Sequence, residues 1–155
     1  MAVKPIPDGY HSVTPYLIVS GAAAAIDFYK RAFGATELLR MPGPGGKVMH
    51  AEVKIGDSPV MLADEMPEMG HRGPQALGGT PVSIMLYVQD ADKVFNQAVA
   101  AGAKVMRPLQ DQFYGDRSGT ITDPYGHVWT IGTHKEDLTP EEIDRRFAEQ
   151  MKQKK

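Results

Sequence analysis

The 155-residue chain contains no cysteine. That excludes a disulfide framework, a thiolate metal site and a cysteine nucleophile, and it suits a cytoplasmic protein. The chain also lacks any continuous apolar run long enough to span a bilayer, and its first ten residues hold Pro5, Pro7 and Gly9 but no apolar segment of the kind that opens an export signal. No membrane association is expected. Neither sign of charge dominates: 19 acidic residues face 17 basic ones and the pI is near 6.2, which argues against nucleic acid as a partner. A glycine-rich phosphate loop is missing too, because Gly43 to Gly46 lacks the following lysine, serine and helix, and there is no nucleophile elbow.

What the chain does have is an internal duplication. Tyr16-Leu17-Ile18-Val19, followed by a helical run ending Ala32-Phe33-Gly34-Ala35, returns as Met85-Leu86-Tyr87-Val88 and a run ending Ala100-Ala101-Gly102-Ala103. The offset is 69 between Val19 and Val88 and 68 between Gly34 and Gly102. Two copies of a unit that cannot close a core alone must pack together, and a shared site should use equivalent positions.

Val13 to Val19 is rich in branched and aromatic residues and predicts a strand. Ser20 then caps a helix from Gly21 to Phe33, with Ile26, Tyr29 and Phe33 as its apolar stripe and Gly34 as its stop. After the break at 41–46, Val48 to Ile55 and Ser58 to Ala63 alternate around Gly56-Asp57 and predict a hairpin. The breakers between Asp64 and Thr80 predict a linker, in which Met66 and Met69 suit either an adaptable apolar lid or simple filler. The second copy predicts a strand at Val82 to Val88, a helix capped by Asp90 and stopped by Gly102, strands at Lys104 to Pro108 and Gly119 to Thr122, and a turn at 123–126 into His127 to Thr133. Thr139-Pro140-Glu141-Glu142 opens a last amphipathic helix striped by Ile143, Phe147 and Met151, which must dock on the domain or on another subunit. The predicted organisation is a first module at 1–64, a linker at 65–80, a second module at 81–135 and a terminal helix at 136–155.

A strand, a helix and three strands, given twice, with an Asp-Pro-x-Gly turn before the last strand, resembles the vicinal oxygen chelate superfamily of glyoxalase I, extradiol dioxygenases and bleomycin-resistance proteins. Thr14-Pro15-Tyr16-Leu17, His50-Ala51-Glu52 before a Gly-Asp turn, and Tyr114-Gly115-Asp116-Arg117 through Trp129 are similar to the PhnB-like branch. The resemblance covers about residues 10–137. It implies an α+β fold in which two βαβββ repeats form a curved mixed sheet around a cleft, and a homodimer whose chains complete or exchange halves. Metal-dependent members take one ligand from the first strand and one from the last strand of each repeat. Carried over by motif, those four positions are Thr14, Met61, Ser83 and Thr130, and none offers the imidazole or carboxylate that holds a divalent first-row ion. No metal and no other cofactor is therefore expected, with a divalent ion as the alternative.

Other residues carry the remaining chemistry. If Ile55 pairs with Ser58, Glu52 faces Met61 and both share the cleft face with His50, while Ala51 and Val53 face the helices. His50 and Glu52 are the candidate acid/base pair. Thr14, Tyr16, Met61, Ser83, Tyr87 and Thr130 are the expected lining. Phe113, Tyr114 and Arg117, in the loop from Asp111 to Gly119, are the expected rim, with a surface salt bridge as the competing use of Arg117. Trp129 points to the core, and His11, His71, His127 and His134 are weaker candidates, most of them expected at the surface. The preferred reading is capture of a small, partly aromatic molecule. A lyase, isomerase or dioxygenase using a metal or His50 and Glu52 is the alternative, and a partner-binding protein with a vestigial cleft is a third.

Overall fold

The computed structural model of the chain describes residues 2–154. The first repeat contains β1 (Tyr16–Val19), α1 (Ala22–Phe33), β2 (Thr36–Pro42), β3 (Val48–Ile55) and β4 (Ser58–Asp64). A connecting segment with a 3-10 turn at Pro67–Met69 and a short α-helix, α2 (Pro74–Leu77), leads to β5 (Ser83–Tyr87), α3 (Ala91–Ala101), β6 (Lys104–Asp111), β7 (Asp116–Thr122), β8 (Val128–His134) and the terminal α4 (Pro140–Gln153). Hydrogen bonding keeps one four-stranded mixed sheet per repeat, ordered β1-β4-β3-β2 and β5-β8-β7-β6. β1 and β5 pair in parallel with β4 and β8, and the other pairings are antiparallel.

The central strands of each sheet, β3 and β4 in the first and β7 and β8 in the second, bury one face on the helix side, while the edge strands β2 and β6 stay exposed. In β3, Ala51, Val53 and Ile55 are buried while His50 and Glu52 stand on the other side, as a period of two requires. α1 buries Ala22, Ala25, Ile26, Phe28, Tyr29, Ala32 and Phe33, which recur at helical spacing. α1 and α3 pack against each other, so the helix-bearing faces are joined at the centre of the chain. Trp129 of β8 lies 4.8 Å from the Phe33 ring and 5.5 Å from the Tyr29 ring, both on α1, and seals the junction. His127 Nε2 is 2.9 Å from the Ile18 carbonyl and adds a polar tie. His127 is half-buried.

Several boundaries differ from the sequence reading, each for a local reason. β1 begins at Tyr16 because β4 pairs only with residues 16–19, leaving Val13 86% exposed and Thr14 ahead of the strand. The cap of α1 is Gly21, at φ 95°, and Ser20 makes no cap bond. Asp64, at the end of β4, does that work from across the sheet: its Oδ1 accepts from Gly21 N at 2.8 Å and Ala22 N at 2.9 Å, and its Oδ2 accepts from Val48 N at 2.7 Å. A carboxylate at a helix N-terminus also meets the positive end of the helix dipole. β2 follows α1 over a stretch to which the hydrophobic pattern assigned no element. β6 and β7 extend to Asp111 and start at Asp116, so most of the expected rim loop is strand. Among the described residues no helix is long and apolar enough to cross a membrane.

Candidate functional site

Register fixes which residues share the open face of each sheet. Tyr16 is opposite Met61, Met61 is opposite Glu52 and Glu52 is opposite Leu39, so these four form one row across the first sheet. The corresponding row of the second sheet is Met85, Thr130, Thr120 and Arg107. Met61 and Thr130 thus occupy equivalent places, 69 residues apart. Next to Glu52 on the first face stands His50, opposite Met41.

The first face holds a chain of polar contacts. His50 Nε2 is 2.9 Å from Glu52 Oε1, and the other ring nitrogen, Nδ1, is 2.8 Å from the Tyr16 hydroxyl. Tyr10, on the irregular segment before β1, donates its hydroxyl to Glu52 Oε2. The Tyr10 hydroxyl and then His50 hold the Glu52 carboxyl below its ordinary range. The carboxylate in turn pushes the Tyr10 phenol up, chiefly through that hydrogen bond, while burial and then the Glu52 charge raise the Tyr16 phenol. Leu39, Met41 and Met61 surround these groups with apolar surface, and Tyr16 remains 46% exposed.

The second face carries its own carboxylate. Buried Asp116 accepts from the Tyr87 hydroxyl at 2.8 Å and lies 2.7 Å from His134 Nδ1, while His134 Nε2 is 2.8 Å from Asp137. The Asp116 contact is the main cause raising both the Tyr87 phenol and the His134 imidazole above their ordinary values. His134 is exposed as expected, but it is engaged at both nitrogens. Each open face therefore presents an acid held between a tyrosine and a histidine.

The expected site residues are brought together in two groups. Tyr16, His50, Glu52 and Met61 lie on the first face; Ser83, Tyr87 and Thr130 lie on the second, where Thr130 Oγ1 is 2.9 Å from Thr120 Oγ1. Among the described residues no hydrogen bond or ring contact crosses between the two faces. Tyr114 sits 3.5 Å from Ser118 Oγ and belongs to the second group. Phe113 joins it at the margin: its ring meets the Tyr114 ring edge-on at 5.2 Å and packs 5.4 Å from Phe147 of α4. Arg117 makes the competing salt bridge: alternation along β7 turns it toward α3, where it binds Asp92 at 2.8 and 2.9 Å and reaches Asp111 at 3.2 Å. A cavity of about 610 Å³ lies between the repeats, lined by Val13, Pro15, Ile55, Val60, Ile84 and Leu86 among others, and includes Tyr87 from the expected set.

Sequence reasoning missed Tyr10, Asp116 and His134 as site residues. Asp116 alternates with Ser118 and Thr120, and His134 with Thr130, so extending the period of two past the predicted strand ends would have placed both on the open face. Tyr10 lies in irregular chain and carries no periodic signal.

A family model described as the Glyoxalase/Bleomycin resistance protein/Dioxygenase superfamily matches residues 9–131. The chain belongs to that superfamily. An uncharacterized protein of Mycobacterium tuberculosis, Rv0887c, is 46% identical over 142 residues, spanning 90% of this chain and 84% of the relative. Among solved structures, protein PA1353 from Pseudomonas aeruginosa is 28% identical with a TM-score of 0.67, over 81% of this chain and 99% of its own. A PhnB protein from Bacillus cereus shares the fold at 19% identity, with a TM-score of 0.62 over 79% of this chain and 99% of its own.

Superfamily membership raises the question of a metal, and the donor set answers poorly. Thr14, Met61, Ser83 and Thr130 supply three neutral hydroxyls and a thioether, and Thr130 is already bonded to Thr120. Among the described residues no group of three or more His, Asp or Glu could hold an ion. The residues present do not fit the metal of the superfamily's metalloenzymes.

Proposed function

We propose that this member of the glyoxalase/bleomycin resistance/dioxygenase superfamily binds a small, partly aromatic molecule on its open sheet faces, without the family metal. The observation that carries the reading is the first face: a half-buried Tyr10–Glu52–His50–Tyr16 chain set among Leu39, Met41 and Met61. Few convergent polar groups in apolar surroundings are the usual composition of a small-molecule site. The second face supplies Ser83, Tyr87 and Thr130 of the expected lining and Tyr114 of the expected rim. Two flat half-sites in one chain favour a homodimer, in which the first face of one copy and the second face of another enclose the ligand.

A thermal-shift screen against a panel of small aromatic compounds tests this, since a ligand at 100 times its Kd adds about 2.7 kcal/mol to a fold it binds selectively. A hit that is lost in Glu52→Ala and Tyr87→Phe supports the reading. No hit across the panel, or a protein that stays a monomer by light scattering while binding fully, overturns the corresponding part. The His50–Glu52 contact favours a second reading, in which the bound molecule is also turned over by proton transfer.

A further inference from the structure

The two contacts of His50 determine more than its position. Glu52 is held ionised and can only accept, so the ring nitrogen 2.9 Å from it, Nε2, must carry a proton. In the neutral ring Nδ1 is then a lone pair, and the group facing it at 2.8 Å is the Tyr16 hydroxyl, which must donate. The order Glu52, His50, Tyr16 leads from a half-buried carboxylate to an exposed phenol. Its oxygen keeps lone pairs directed away from the ring, at the surface where Leu39, Met41 and Met61 would bed an apolar body.

We propose that the first sheet face takes ligands of one chemical class, apolar planar molecules bearing a weakly acidic hydroxyl of phenol or enol type, and that Tyr16 is the group that exchanges a proton with them. This rests on the binding reading above and specifies it. The ligand hydroxyl donates to the Tyr16 oxygen; as its O–H bond breaks, the Tyr16 proton passes to His50 Nδ1. The products are the ligand oxyanion, a neutral Tyr16 and a His50 imidazolium beside the Glu52 carboxylate, so two coupled hops carry one net proton and charge is conserved. Tyr10 and Glu52 are the other titratable groups in this chain of contacts, Lys54 follows one place along β3 on the same face, and the flanking β2 and β4 residues Leu39, Met41 and Met61 carry no charge.

The probe is 4-nitrophenol, whose neutral and ionised forms absorb at different wavelengths. Wild-type protein should bind it with the ratio of ionised to neutral probe raised roughly tenfold over free probe at the same pH, a shift of about one pKa unit. Tyr16→Phe should still bind the ring but lose that ionisation, and Glu52→Gln should weaken it. Independently of any ligand, nitrogen NMR of His50 should show the proton on Nε2 and the lone pair on Nδ1. Binding of the neutral probe only, ionisation unchanged in Tyr16→Phe, or a His50 proton on Nδ1 in the neutral ring each overturns the inference while leaving small-molecule binding intact. Failure to bind 4-nitrophenol overturns it as well, and hits among non-acidic compounds in the wider screen would then show that the binding reading survives alone.

Discussion

The Tyr29 hydroxyl, on the first helix, donates to Asp123 Oδ2 in the second repeat at 2.7 Å. The same oxygen accepts from Trp129 Nε1 at 2.9 Å, and Oδ1 accepts the backbone N–H groups of Tyr125 at 2.9 Å and His127 at 3.0 Å. Asp123 is only 3% exposed, so one buried carboxylate closes the turn before β8 and ties the repeats together. Burial and the Asp123 charge push the Tyr29 phenol well up, which keeps it a donor throughout the working range of pH.

That arrangement predicts an asymmetry between two variants. Tyr29→Phe removes one donor to a buried charge and should cost about 1.5–3 kcal/mol in chemical denaturation. Asp123→Ala strands four donors at once and should cost more, about 3 kcal/mol or above. Equal losses would show that the carboxylate is not the hub.

A second prediction concerns the approach of α3 to its sheet. A Cβ on Gly119 would sit 2.6 Å from Phe95 Cε2 and 3.0 Å from the Leu109 backbone. Phe95 is buried and cannot swing away. Gly119→Ala should therefore destabilise by roughly 1–3 kcal/mol through overpacking, measured by urea unfolding. Gly132→Ala makes a contact as short, 2.6 Å, but with the end of the flexible Met85 side chain, and should cost less.

The fold was legible because its strongest signals are local and repeated. Ile26, Tyr29 and Phe33 give α1 its stripe, Gly56-Asp57 gives the hairpin its register, and the offset between Val19 and Val88 gives the duplication. The hairpin register alone put Glu52 opposite Met61, which is how the structure pairs them. What failed to show was either non-local or hidden at strand ends. Nothing near Gly21 in sequence announces that Asp64 will cap its helix. β2 carries Leu38, Leu39 and Met41 exposed, so it lacks the alternation that marks a half-buried strand. Arg117 reads as a rim residue only if 111–119 is all loop; with β7 starting at Asp116, alternation sends it to the helix side.

The reassignment of Arg117 gives a third prediction. Its partners Asp92 and Asp111 are largely exposed, and pairs of this kind are weak and screened by salt. Arg117→Ala should leave ligand affinity unchanged and lower Tm slightly, with the loss shrinking at high salt. A large drop in affinity would return the residue to the binding site.

The donor set at the four family positions predicts metal behaviour. After dialysis against zinc, manganese or nickel and removal of free ion, the protein should retain well below one ion per chain by elemental analysis. Stoichiometric retention would mean that residues outside Thr14, Met61, Ser83 and Thr130 assemble a centre.

The last prediction concerns His134 and pH. An imidazole with carboxylates at both nitrogens, Asp116 at 2.7 Å and Asp137 at 2.8 Å, needs two N–H donors and so favours the imidazolium. Its pKa is raised in the fold, first by Asp116 and then by Asp137. A folded pKa above the unfolded value means that the group's stabilisation is complete below the ordinary histidine value of about 6.5 and is lost as pH rises through the folded pKa. Thermal melts of wild type and His134→Gln should therefore differ most in mildly acidic buffer and converge above neutrality. Asp137→Asn should narrow the same gap by lowering the imidazole pKa, whereas Tyr87→Phe, which touches Asp116 alone, should leave its pH dependence in place. A constant separation of the wild-type and His134→Gln melting curves across this range would show that the ring acts by packing and carries no linked proton.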